Sequence, residues 1–187
     1  MTQPPEGGPQ QGPRFGTDPY DPSAVGGPMA EPRKFSRLKQ LTLLSLAIFV
    51  VGTVLSMIPM FTGQTREQTA EQFDTMGMQY TDADLDGAVA GSITFTAAVL
   101  VVGLIVYLLI YFGLVKTKNW ARVLGIVFAI LGTLMMLFVG ASGLLDPTGL
   151  NLLLMLLGLI GAVVGIFWLV TAFNGHVKAY LTQNVQS

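Results

Sequence analysis

The chain has 187 residues, a formal net charge of -1, 51% hydrophobic residues against 11% charged ones, and no cysteine. So few charges cannot clothe so much apolar surface in water. The missing cysteine excludes a disulfide framework, a thiolate nucleophile, a thiolate metal site and a palmitoyl anchor. The near-neutral total conceals a segregated layout, with basic and acidic residues in different connections.

The chain opens with a segment that cannot bury a core. Its first 32 residues hold eight prolines and six glycines with few large aliphatic side chains, a composition that predicts a disordered, solvated tail over residues 1–32. A docking peptide anchored by Phe15 and Tyr20 is the alternative, although Pro19 and Pro22 have the spacing of a PxxP motif without a flanking basic cluster. Arg33, Lys34, Arg37 and Lys39 follow. Set beside Phe35 and Leu38, they predict a membrane-entry segment whose charges meet anionic headgroups while its apolar side chains enter the interface.

Four apolar stretches then dominate the chain: Leu41–Phe61, Ile93–Val115, Trp120–Val139 and Leu150–Phe173, with Arg122 as the one charged residue, at a margin. At a rise of about 1.5 Å per residue, helices of about 20 residues cross a hydrocarbon core of about 30 Å. The fold class expected is all-α, a polytopic bundle of four transmembrane helices over residues 33–187. The first span ends at Pro59, Met60 and Phe61 without a small-residue cleavage pattern, so it reads as a retained anchor.

Between the first two spans, Thr65 with Gln68 suggests the start of a short external amphipathic helix, placing Ala70, Phe73 and Met76 toward one face. Gly77 breaks it. Thr81 with Asp84 gives a second capping pattern, from which Leu85, Ala88 and Val89 lead into the second span. Asp82, Asp84, Asp86 and Gly87 also match the opening of a calcium loop, but Ile93 stands where a bidentate Glu belongs. Helix-start capping is the competing reading of these carboxylates.

Inside the spans, Gly52 and Ser56, then Ala121, Gly125 and Ala129, then Gly161 and Gly165 recur four apart, with Gly87, Gly91, Ala97, Ala98 and Gly103 along the second. Such notches let helix backbones approach, within one bundle or, where surplus, between subunits. Phe128, Met135, Met136, Phe138, Met155 and Phe167 fill the core or face lipid. Tyr111 and Trp120 suit interface anchors, with Trp168 deeper. No Asp, Glu, Lys, Arg or His occupies the centre of any span, so no proton relay or ion-pathway carboxylate is visible. His176 is the sole histidine and follows the fourth span; Gly175 reads as a cap or bend there, with Lys178 facing headgroups.

Charge sets the expected orientation. Arg14, Arg33, Lys34, Arg37, Lys39, Lys116, Lys118, Arg122 and Lys178 fall on one side, whereas the opposite loops hold Arg66 against Glu67, Glu71, Asp74, Asp82, Asp84, Asp86 and Asp146. The positive-inside rule places both termini in the cytoplasm of a plasma-membrane protein.

The layout resembles a group of small four-span membrane proteins of actinobacteria with Pro/Gly-rich cytoplasmic tails. The residues that carry the likeness are the tail, Pro32-Arg33-Lys34-Phe35, the Asp-rich segment before the second span, the Lys116–Arg122 turn and Phe173-Asn174-Gly175-His176. Some proline-rich proteins of this kind look like accessory subunits of the respiratory bc1–aa3 supercomplex. The resemblance implies a non-enzymatic accessory or scaffold subunit whose partners are the lipid bilayer and other membrane proteins or a second copy. A self-associating channel or carrier for a small or apolar solute is the alternative. The sequence nominates no catalytic, cofactor-binding or metal-ligating residue, no nucleic-acid partner and no small-molecule substrate.

Overall fold

A computed structural model describes residues 31–142 and 149–183. Residues 1–30 of the segment read as a disordered tail, including Phe15 and Tyr20, and the loop carboxylate Asp146 lie outside the described residues. The described chain is helical: α1 (Arg33–Ser56), α2 (Ile58–Phe61), α3 (Gln64–Thr75), α4 (Asp82–Val115), α5 (Asn119–Ser142), α6 (Gly149–Ala172) and α7 (Gly175–Gln183). Helices α1, α4, α5 and α6 are each long and apolar enough to cross a membrane, α1 with its short extension α2. The protein is a four-span membrane bundle.

The four spans pack as a ring in chain order, α1 on α4, α4 on α5, α5 on α6, and α6 back on α1. The α5–α6 and α1–α6 pairs are the most extensive, and α4 is held more sparsely. Glycine notches explain the close pairs. A Cβ at Gly125 would strike the Trp168 ring, one at Gly103 the Phe49 ring, and one at Gly165 the Thr133 hydroxyl. Gly161 receives Met136 and Ile48, and Gly52 receives Leu157. Most of the small residues noted in the sequence therefore serve the bundle itself. Outward, Phe95, Met135, Phe138 and Phe167 stand largely exposed, as lipid-facing side chains do.

Pro59 shapes the end of the first span. It lacks the N–H that would continue α1, so α1 stops at Ser56 and the chain restarts as α2 with the proline in its first turn. The Ser56 and Thr53 hydroxyls turn back on the Thr53 and Phe49 carbonyls, both at 2.8 Å, and satisfy acceptors near this end.

Two helix ends use the same backbone device with different residues. After α3, Gly77 at φ +67° lets its N–H reach the Asp74 carbonyl and the Met78 N–H reach Phe73. After α4, Thr117 takes φ +52°, and the Thr117 and Lys118 N–H groups reach the Leu114 and Gly113 carbonyls, both at 2.9 Å. Both are Schellman caps, but a β-branched residue is strained in the left-handed region where glycine is not.

Candidate functional site

One candidate region is the end of the bundle where α3, with its flanking turns, packs on α4 as a short helical lid. Helix α3 begins two residues earlier than the Thr65 capping pattern suggested: Gly63, at φ +84°, occupies the N-cap, and no side chain caps the helix. Thr65 lies inside the first turn, and its carbonyl accepts from the Thr69 hydroxyl at 2.7 Å. Ala70 and Phe73 do turn inward, with Phe73 packed on Tyr80 at 5.4 Å between ring centroids. Met76 does not share that face and is 61% exposed.

The three aspartates stand on a helix rather than in a calcium loop. Thr81 and Asp84 form a reciprocal capping box at the start of α4, in which the Asp84 carboxylate accepts the Thr81 N–H at 2.8 Å. Asp82 and Asp86 are four apart and share a face, so one guanidinium reaches both: Arg66 donates to Asp82 at 2.5 Å and to Asp86 at 3.1 Å. Those two hydrogen bonds, Asp82 first, raise the Arg66 pKa, so its charge is secure. Partial burial, and then Asp74, push the Tyr80 phenol above its ordinary range and keep it neutral. Chemically this end is an ion-paired clamp joining α3 to α4. Glu67, Glu71 and Asp74 remain exposed on the lid's outer side.

The opposite, basic end is built differently. Its core comprises Phe35 and Leu38 of α1, Ile110 and Leu114 of α4, Ala121 of α5, Trp168 and Ala172 of α6, and Val177 and Leu181 of α7. Phe35 and Leu38, expected to enter the lipid interface, are 1% and 0% exposed and pack inside the protein. The reason is α7, an amphipathic helix absent from the sequence reading. The Asn174 Oδ1 accepts the His176 N–H at 3.2 Å and opens a helix in which Gly175 is the first residue, not a cap of α6. Tyr180 meets Phe35 at 5.1 Å, while His176 and Lys178 face outward. The signal was available: Asn174 before Val177, Tyr180 and Leu181 is an N-cap followed by apolar residues at helical spacing.

Two polar contacts are sealed into this end. The Trp168 indole N–H donates to the Thr42 hydroxyl at 2.8 Å, and that hydroxyl donates to the Leu38 carbonyl at 2.9 Å, joining α6 to α1. Arg122, which the sequence presents as a marginal topology charge, is 8% exposed and donates from Nε to the Ala172 carbonyl at 2.6 Å. It thus neutralises the negative end of α6. Tyr111 and Trp120, read from the sequence as interface anchors, lie at this end, with Trp120 half exposed.

The lid end also leaves a surface unused. Ala83, Gly87, Ala90, Gly91, Thr94 and Ala98 form an exposed stripe on α4, and a Cβ at Gly87 or Gly91 would meet nothing. At 34 residues, α4 outruns a hydrocarbon core of about 30 Å, so the stripe extends from the lid toward the membrane interior. No protein-family model, curated protein or solved structure matches the chain.

Proposed function

We propose that the protein is a non-enzymatic accessory or scaffold subunit of a larger plasma-membrane assembly, with both termini cytoplasmic and the lid outside. The observation that carries this reading is the open stripe centred on Gly87 and Gly91. Gly52, Gly103, Gly125, Gly161 and Gly165 receive side chains from within the bundle, whereas Gly87 and Gly91, like the isolated Gly132 of α5, leave room, and the first two lie four apart on one face where the backbone of another helix can approach. The outer carboxylates of α3 border the same end and offer polar contacts to an external domain of such a partner. The actinobacterial resemblance directs the search to respiratory and cell-envelope complexes.

The test is co-purification of tagged full-length protein from its native membrane in mild detergent, comparing the wild type with Gly87→Leu/Gly91→Leu. Stoichiometric recovery of one membrane complex, lost in the variant while the bundle stays folded, supports the proposal. A partner-free homo-oligomer that passes solutes in liposomes supports the channel or carrier instead. Gly161→Leu/Gly165→Leu is unsuitable as that test, because those positions hold Met136, Ile48 and Thr133 inside the bundle.

Orientation has a direct readout, since the absence of cysteine provides a clean background for single introduced thiols. Gln79→Cys should react with an impermeant maleimide in intact cells, and Ala179→Cys only after permeabilisation. The reverse pattern would invert the topology.

A further inference from the structure

At the basic end, α1 and α6 flank an open groove of about 440 Å³ lined by Arg37, Gln40, Leu41, Leu44, Phe167 and Thr171. The Trp168–Thr42 hydrogen bond sets the register of this antiparallel pair. Arg37 and Gln40 therefore lie toward the same outer level as Thr171, and Leu44 lies deeper, level with Phe167. Arg37, Leu41 and Leu44 recur at positions i, i+4 and i+7, one stripe of α1, and descend about 10 Å along its axis. The groove is thus graded, cationic and polar at the membrane boundary and apolar toward the hydrocarbon.

We propose that this groove binds one anionic glycerophospholipid of the phosphatidylglycerol type. The Arg37 guanidinium meets the phosphate with paired N–H donors, and the Gln40 amide adds another. The Thr171 hydroxyl already donates to the Phe167 carbonyl at 2.8 Å, which leaves its oxygen to accept from a headgroup glycerol hydroxyl. Leu41, Leu44 and Phe167 flank the first part of an acyl chain.

Charge complementarity favours this occupant. Neighbouring Lys39 is engaged by Glu31 at 2.8 Å and lies 5.1 Å from the centre of the Phe35 ring. Arg37 is exposed and meets no carboxylate among the described residues. A helix seated here would have to bring an acid to the hydrocarbon edge, whereas an anionic lipid carries its charge at that depth.

The experiment is native mass spectrometry of the delipidated full-length protein with phosphatidylglycerol or phosphatidylcholine of identical acyl chains. A single retained phosphatidylglycerol, favoured about fivefold over phosphatidylcholine, is expected from one well-placed arginine. Arg37→Gln should erase the preference, and Leu44→Trp, which fills the groove without changing charge, should erase retention. Lys116→Gln, outside the groove, should change neither. Equal retention of both lipids, or a preference that survives Arg37→Gln and Leu44→Trp, overturns the proposal. So does loss of a protein partner in Leu44→Trp with lipid retention unchanged, which would make the groove a helix site.

Discussion

The basic end of the bundle closes around Trp168 with side chains from five helices, whereas the lid end rests on α4 through the Arg66 ion pairs and buries Leu85. The difference follows from where water is. Phe35, Val177 and Leu181 lie beyond the apolar stretches, where leaving water drives burial, so α7 can seal one end hydrophobically. Between the ends lipid competes on equal terms with protein for apolar surface, and only close fit distinguishes them. There the glycine notches do the specifying. The lid has few apolar side chains to bury and is pinned by exposed ion pairs, which are individually weak.

The contrast would break first at Trp168. Trp168→Ala removes the ring seated on Gly125 and should cost about 3–5 kcal/mol, read as loss of thermal stability in detergent. Thr42→Val separates packing from hydrogen bonding, since it removes the acceptor of the indole N–H and leaves the ring on Gly125, and it should cost only about 1 kcal/mol. A similar loss for both would mean that the bond to Thr42, not the packing, holds α6 to α1.

Arg122→Gln should cost up to about 2 kcal/mol, because the carbonyl end of α6 loses a buried cation. An unchanged melting temperature would show that the Ala172 carbonyl is satisfied equally well by a neutral donor. Thr117→Gly should act in the other direction and stabilise by about 1 kcal/mol, since it relieves a β-branched residue at positive φ. The matching change Gly77→Thr should destabilise the end of α3, visible as faster amide exchange at positions 77 and 78.

Arg66→Ala should have the smallest global effect, a barely detectable shift in melting temperature, and that effect should shrink with added salt. Its local readout is protease cleavage within residues 63–80. If cleavage there is no faster than in wild type, the lid is held by Phe73 and Tyr80 rather than by the clamp.

Much of the architecture was legible because its signals are local. The spans showed as uncharged runs of sufficient length, and the Thr81–Asp84 capping box showed as a spacing. The lid helix was also visible, but its start was displaced because Gly63 can take a positive φ and begin the helix without a capping side chain. The fates of Phe35, Leu38 and Arg122 were not legible. Each has an ordinary surface or interface reading, and each is buried by α6 or α7, more than 45 residues away in the chain.

The sequence by itself determined that four helices cross a membrane and that charge is segregated between their ends, because hydropathy, length and charge act residue by residue. The tertiary structure decided which apolar residues face protein and which face lipid. It also decided which glycines receive a neighbour, and it assigned Arg66 and Arg122 to a clamp and a helix terminus. In hydrocarbon an apolar side chain gains nothing from burial as such, so only the fit between particular helices could make those assignments.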